Sequence, residues 1–153
     1  MMSAIVLLSL ALIGANSRVQ EKPQARVVIE FRLAESLPSD ELQEAVLEGT
    51  SEKLYLHKEV IISNKDVVAA HPIPSFTPRS FDIEIEFSNE GAKRISKAST
   101  ENIGKRIAVL IDGKVIVAPV LRSTISHKAV IAGSAPSFTK EEAEELARKI
   151  VAQ

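Results

Sequence analysis

The chain has 153 residues, which is enough for one domain with a substantial core. Its 19 basic and 20 acidic residues give a formal net charge of −1. That balance provides no basic patch of the kind that nucleic-acid or anionic-membrane binding requires. Cysteine is absent, which excludes disulfides, zinc–thiolate sites and cysteine nucleophiles. We therefore expect one globular domain that is stabilised by its core alone and does not bind nucleic acid.

The first 17 residues contain no Asp, Glu, Lys or Arg. Within them, the apolar run Ala4–Ile13 is too short to span a bilayer, which takes about 20 residues, and suits the core of a signal peptide. Ala15 and Ser17 place small residues at the −3 and −1 positions of a cleavage site. We expect residues 1–17 to be a signal peptide cleaved after Ser17, residues 18–25 to be a linker, and the protein to be exported to the periplasm or another extracytoplasmic space. An uncleaved anchor and a buried first element are the alternatives.

The first half of the domain contains a run of alternating apolar and polar residues and residues typical of helix ends. Val27, Ile29, Phe31 and Leu33 alternate with polar residues, which predicts a half-buried strand over residues 26–33. Asp40 as an N-cap and Gly49 as a stop predict a short helix over residues 41–47. Two short strands are predicted over residues 53–57 and 59–63.

Two further segments complete this half. Ser63 and Asp66 have the spacing of a capping box, which predicts a brief helix that ends at Ala70. Three prolines in residues 71–79 predict an extended loop without regular structure, because proline donates no backbone hydrogen bond.

The second half has stronger local signals. Alternation predicts a strand over residues 81–87 with one apolar and one acidic face. Ser88 is the expected N-cap of a helix that ends at Gly104. The apolar stripe of this helix is expected to comprise Ala92, Ile95, Ala98 and Ile103.

Asp112-Gly113 is the strongest turn signal in the chain. Its position between apolar residues 106–111 and 114–120 predicts a hairpin with a type I′ turn, in which both turn residues have positive φ. Pro119 places the return strand at a sheet edge. A further short strand is predicted over residues 129–132.

Thr139 and Glu142 form a second capping-box pattern, and they predict a final helix. Its inward stripe is expected to comprise Ala143, Leu146, Ala147 and Ile150. The C-terminal half then has the order β-α-β-β-β-α. This order predicts an α+β fold in which an antiparallel sheet carries helices mainly on one face.

The residue patterns predict neither catalysis nor a cofactor. His57, His71 and His127 are widely spaced, and none belongs to a metal-ligand motif. Nucleophile-elbow and phosphate-loop motifs are absent from the sequence. The carboxylates of Asp82, Glu84 and Glu86 share one strand face, which we interpret as a solvated face in preference to a cation site. We therefore expect no enzyme, no metal and no cofactor.

The second half resembles a known family. The residues that carry the resemblance are the acidic strand Phe81–Phe87 and, in order, Gly104-Lys105, Asp112-Gly113, Ala118-Pro119, Gly133, Thr139, Glu142 and Ala143. They are similar to the head subdomain of the first periplasmic domain of SecD, a component of the bacterial SecDF protein-export machinery. The resemblance extends well over residues 81–151 and loosely over residues 26–70. Ser126-His127-Lys128 replaces a glycine-rich turn of the family, and residues 134–137 resemble a small insertion.

The resemblance implies a free-standing periplasmic binding module, accessory to protein export, that engages a polypeptide or an envelope protein. No apolar run after the leader is long enough to span a membrane, so we expect this chain to lack the membrane part of the export motor. A sensor or inhibitor-type binding domain unrelated to export is the alternative. The candidate interaction residues are Phe76 in the proline-rich segment and His127 in the turn 123–128. Packing of Phe76 into the core is the alternative at that position.

We predict that the leader is removed during export. Intact-mass measurement on protein made in its native host should show a mature species that begins at Arg18. A full-length cytoplasmic product would contradict the signal-peptide interpretation.

Overall fold

The computed structural model describes residues 25–133 and 137–152 and confirms the α+β class. The predicted leader, the linker up to residue 24 and most of the small insertion lie outside these residues. The C-terminal half has the predicted order β-α-β-β-β-α. The elements are β1 Ile29–Glu35, β2 Gln43–Val46, β3 Lys53–Leu56, β4 Ile62–Ser63, β5 Val67–Pro74, β6 Phe81–Phe87, α1 Asn89–Glu101, β7 Arg106–Ile111, β8 Lys114–Val117, β9 Lys128–Ile131 and α2 Lys140–Val151.

The strands are divided between two antiparallel sheets. The first sheet has the order β2-β3-β1-β7-β8, and β4 also pairs with β1. It curls upon itself, because Leu47 after β2 forms a bridge with Val115 of β8, and the Glu48 amide donates to the Val115 carbonyl at 2.8 Å. The second sheet has the order β5-β6-β9, so β6 is its central strand.

Strands β1 and β7 contribute to two separate cores. On one face, Ile29, Phe31, Ile107 and Val109 pack against β6 and both helices, where the rings of Phe31 and Phe87 meet edge to face at 5.7 Å. On the other face, a smaller core fills the curl of the first sheet. Its buried members are Ala34, Leu54, Leu56, Ala108, Leu110, Val115 and Ala118.

Both helices begin as their capping residues predict. The Ser88 side chain accepts from the Gly91 amide, and Thr139 and Glu142 make the two reciprocal bonds of a capping box. The predicted inward stripe of α2 is confirmed, since Ala143, Ala147 and Ile150 are buried and Leu146 packs against the core. The stripe predicted for α1 is wrong at Ile103, because the helix ends at Glu101 and leaves Ile103 exposed.

Asp66 joins the two sheets to α1. Its carboxylate accepts from the Ser63 amide at 2.9 Å and pairs with the Arg94 guanidinium. Its carbonyl oxygen accepts from the Ser88 amide at 2.8 Å. Gly91 lies so close that an added Cβ would meet the Asp66 Cβ at 2.9 Å. This packing leaves no room for a side chain at position 91.

Two helices predicted in the first half are absent from the described structure. Residues 43–46 form β2 instead of the helix over 41–47, because their backbone pairs with β3. Ser63 and Asp66 form the predicted capping box, but it caps a single 3₁₀ turn, Asn64–Asp66, and β5 begins at the next residue. In both places pairing with a distant strand outweighs a local helix signal.

The proline-rich segment is more regular than predicted. Strand β5 continues through Pro72 and Pro74, which pair with Ile83 and Phe81 of β6. An edge strand tolerates proline because the position that lacks an amide can face away from the neighbouring strand. Only the connection after Pro74 is a loop.

The Asp112-Gly113 turn is confirmed as a type I′ geometry, since φ is 49° at Asp112 and 80° at Gly113. It joins β7 to β8. Asp112 also anchors the start of the domain: its side chain accepts from the Val28 amide at 2.8 Å, and its own amide donates to the Val28 carbonyl at 2.8 Å.

A carboxylate at the end of β1 connects three segments. Glu35 Oε1 lies 3.1 Å from His57 Nε2, which follows β3, and 3.2 Å from Lys105 Nζ, which precedes β7. The hydrogen bond from His57 and then that from Lys105 hold the pKa of Glu35 below its ordinary value. His57 is thus half-buried in the connection after β3, where its ring is hydrogen-bonded to Glu35.

We predict that Gly113→Val destabilises the domain by about 1 kcal/mol or more, because a branched side chain is strained at positive φ. Gly113→Asn is the matched variant, since asparagine tolerates this conformation better than valine. Chemical unfolding should rank the stabilities as wild type, Gly113→Asn, then Gly113→Val. Equal stability of the valine variant and wild type would contradict the turn assignment.

We predict that Glu35→Gln lowers stability by about 0.5 kcal/mol at neutral pH, the magnitude of a partly exposed ion pair. Because the folded-state pKa of Glu35 is lowered, its contribution is complete above the ordinary value of 4.5 and is lost as the pH falls through the folded value. Urea unfolding at neutral and acidic pH should show the difference from wild type disappear in acid. The matched control is Glu59→Gln, which alters an exposed carboxylate. If the loss of stability in Glu35→Gln is the same at both pH values, or equals the loss in Glu59→Gln, the stabilising role of Glu35 is contradicted.

Candidate interaction surface

The loop between β5 and β6 presents an aromatic side chain to solvent. Its ends are joined by a hydrogen bond from the Ser75 amide to the Ser80 carbonyl at 2.9 Å, and the Ser80 amide donates to the Thr77 carbonyl at 3.2 Å. Phe76 lies at the tip of this tight loop and is fully exposed, at 108% of its reference area. The alternative that Phe76 packs into the core is therefore wrong.

His127 lies at the other end of the second sheet. The Phe87 amide at the end of β6 donates to the His127 carbonyl at 2.9 Å, which fixes the turn that leads into β9. The exposed His127 side chain lines an open groove of about 410 Å³ beside α1, together with Lys93 and Ser96. The length of β6, about 20 Å, separates this turn from Phe76, so the two candidate residues do not share one site.

Three of the motif residues line a groove between the two sheets. Ala118 and Pro119 follow β8, and Gly133 follows β9. The groove has a volume of about 380 Å³, and its lining is apolar. The other lining residues are Leu47, Val117, Val130 and Ala132. Val130 is half exposed, so the groove has an open apolar wall.

Gly104 and Lys105 form backbone hydrogen bonds to the segment that provides one wall of this groove. The Gly104 amide donates to the Leu121 carbonyl at 2.8 Å, and the Leu121 amide donates to the Lys105 carbonyl at 2.7 Å. The Ile107 amide also donates to the Pro119 carbonyl at 3.0 Å. These bonds fix the segment 118–121 against the start of β7, so two motif pieces that are distant in sequence form one structural unit.

The remaining motif residues have structural positions. Asp112 and Gly113 form the hairpin turn, whereas Thr139, Glu142 and Ala143 begin α2. Gly133 lies beside Phe138, where an added Cβ would be 3.2 Å from the Phe138 amide nitrogen. Glycine at this position therefore permits the close approach of β9 to the start of α2.

The acidic face of β6 is only partly the solvated surface that its alternation predicts. Lys128 Nζ lies 2.8 Å from Glu84 and 3.9 Å from Glu86, and the hydrogen bond to Glu84 raises the pKa of Lys128. Asp82 differs from its two neighbours because it is buried. Sequence alternation identifies which face a residue occupies, but it does not reveal how neighbouring strands cover that face.

Another open groove, larger than the two above, lies at the end of β1. It has a volume of about 660 Å³, and Glu35, Leu37, Leu42 and His57 are among its lining residues. Leu37 is exposed, and the charged residues Glu41, Lys58 and Glu59 line the same groove. Sequence reasoning missed both this groove and the one between the sheets, because each is assembled from segments that pair only in the folded chain.

Over residues 25–133 and 137–152, no three His, Asp or Glu side chains are arranged to hold a metal ion. Within the same ranges, no helix has the length and hydropathy needed to cross a membrane.

Comparison with known proteins gives concordant matches. A family model described as the SecDF P1 head subdomain matches residues 35–152. The SecD protein translocase subunit of Thermobaculum terrenum is 32% identical over 117 residues, which are 74% of this chain and 22% of that protein. The corresponding subunit of Aquifex aeolicus is 43% identical over 65 residues, which are 42% of this chain and 12% of that protein. The chain thus spans less than a quarter of the length of these relatives.

Solved structures show the same fold. A SecDF described as a membrane component that enhances protein export superposes with a TM-score of 0.64 at 24% identity, over 84% of this chain and 64% of that chain. A crystal structure of SecDF from Thermus thermophilus gives a TM-score of 0.51 at 26% identity, over 84% of this chain and 19% of that chain. The family model, the relatives and the shared fold together show that this chain belongs to the SecDF P1 head subdomain family.

Proposed function

We propose that the domain is an extracytoplasmic, non-catalytic module that binds extended polypeptide during protein export. Membership of the SecDF P1 head family supports the link to export, because its relatives are protein translocase subunits. The uncharged apolar run at the start of the sequence supports an extracytoplasmic location.

The observation that carries the binding proposal is the exposure of Phe76. A fully exposed phenylalanine on a hydrogen-bonded loop gains no burial energy from folding, whereas its transfer into an interface contributes about 1.5–3 kcal/mol. The loop is fixed by strands β5 and β6, so docking requires little additional ordering. Aromatic anchors of this kind dominate the energetics of protein interfaces.

The groove between the sheets supports the same function. Among the described residues no charged side chain lines it, and Val117 at the end of β8 and Val130 of β9 both contribute to its walls. An extended segment with small apolar side chains has the chemistry that such a groove accommodates. Unfolded polypeptides offer such segments, whereas folded proteins bury most of theirs.

We predict that Phe76→Ala weakens binding of a permanently unfolded, reduced and carboxymethylated polypeptide by about tenfold, the loss expected for one buried aromatic ring. Leu37→Ala is the matched control, because Leu37 is also an exposed apolar residue, at 77%, but follows β1 of the first sheet. Fluorescence anisotropy of the labelled polypeptide with the purified protein measures both affinities.

Circular dichroism should show that both variants keep the wild-type fold, since neither side chain is buried. Equal losses of polypeptide affinity in the two variants would contradict a specific role of the loop between β5 and β6. Absence of any polypeptide binding by the wild-type protein would overturn the proposed function itself.

A further inference from the structure

The loop between β5 and β6 contains a tight turn with an arginine at an unusual position. The Ser80 amide donates to the Thr77 carbonyl at 3.2 Å, so residues 77–80 form a β-turn closed by its own hydrogen bond. Pro78 occupies the second position of this turn, which suits its fixed φ. Arg79 occupies the third position with a φ of 62°. This combination is characteristic of a type II turn, whose third position favours glycine or asparagine.

The backbone conformation of Arg79 is strained for a residue of its type. In the left-handed region the Cβ atom lies too close to the following carbonyl oxygen, and only glycine, asparagine and aspartate adopt this region readily. Among the described residues, Asp112 is the only other non-glycine residue with positive φ, and its carboxylate accepts from the Val28 amide. The Arg79 side chain makes no such bond within the fold. Strain that the fold itself does not use is typical of functional sites.

The Arg79 guanidinium is available to an external partner. Its side chain is exposed, and Arg79 is the only charged residue in the loop 75–80. Within the part of the chain that the structure describes, no carboxylate forms an ion pair with it. Three other arginines are engaged in ion pairs: Arg32 with Glu30, Arg94 with Asp66 and Arg106 with Glu52. The loop therefore presents one positive charge that folding leaves unpaired.

Phe76 lies in the same loop, three residues before Arg79. Their Cα atoms are at most about 11 Å apart, so one bound segment can contact both side chains. The Thr77 amide donates to the Ser75 hydroxyl at 3.4 Å, and the Ser75 amide donates to the Ser80 carbonyl at 2.9 Å. These bonds limit the conformations of the loop. Aromatic residues and arginine are both enriched in protein interfaces, and this loop presents one of each.

We infer that Arg79 binds a carboxylate of the polypeptide that Phe76 anchors. The planar guanidinium can donate two parallel hydrogen bonds to one carboxylate, while the Phe76 ring covers a neighbouring apolar side chain. This inference rests on the proposed polypeptide-binding function and specifies the segment that is bound: an extended apolar stretch that carries an aspartate or glutamate. Charge complementarity makes Arg79 the residue that determines this specificity.

The test uses two labelled peptides of alanine, leucine and serine that differ at one central residue, which is glutamate in one and glutamine in the other. The wild-type protein should bind the glutamate peptide about fivefold more tightly at low salt. High salt should reduce this preference, because it screens the charges. Arg79→Asn should abolish the preference. Arg79→Lys should retain part of it, because lysine keeps the charge but not the bidentate geometry.

Thermal unfolding separates recognition from folding. Arg79→Asn should raise the melting temperature, because asparagine tolerates positive φ better than arginine does. The matched control is Arg122→Asn, which alters an exposed arginine between β8 and β9 whose φ is not positive. This control should keep the peptide preference and should not raise the melting temperature. If the melting temperature of Arg79→Asn is at or below the wild-type value, the inference is overturned, because the arginine is then unstrained or serves the fold.

The peptide results distinguish this inference from the proposed function. If the wild-type protein binds both peptides equally, or if Arg79→Asn keeps the full preference, the role of Arg79 is wrong and polypeptide binding stands. The same conclusion holds if neither peptide binds but the carboxymethylated polypeptide does. If the wild-type protein binds neither the peptides nor that polypeptide, both the proposed function and this inference are overturned.

Discussion

The fold depends on two neighbouring strands that are buried on both faces. Strands β1 and β7 pack one face against the second sheet and both helices, and they pack the other face into the curl of the first sheet. Neither core is complete without them, because each sheet alone would expose an apolar surface to water. The partly buried Arg32–Glu30 ion pair, at 2.7 Å, occupies the part of β1 where the smaller core ends. Two small sheets thereby become one cooperative domain.

This arrangement places the proposed binding features on or beside the second sheet. Its inner face packs into the main core. Its outer face, the loop between β5 and β6 and the edge strand β9 are left exposed by this packing. The exposed Phe76, the apolar groove and the acidic face of β6 all belong to this sheet or border it. The motif residues Gly104, Lys105, Ala118 and Pro119 fix the groove wall in place.

The sequence predicted those elements whose signals are local. The caps at Ser88 and Thr139 and the Asp112-Gly113 turn act within a few residues, and the structure confirms each of them. Strand β2 and the course of β5 through two prolines could not be predicted, because both depend on pairing with strands distant in sequence. The exposure of Phe76 and the burial of Asp82 are likewise tertiary properties. Alternation placed Asp82 on the correct face but gave no information about what covers it.

The prolines of β5 limit strand pairing between copies of this protein at one edge of the second sheet. A strand that lacks amide donors at Pro72 and Pro74 is a poor template for another strand, so this edge resists sheet extension. Strand β9 forms the opposite edge and contains no proline. Unwanted self-association through strand pairing is thereby directed to β9, beside the groove where a polypeptide is proposed to bind. A polypeptide that paired with the β9 edge would compete with such self-association.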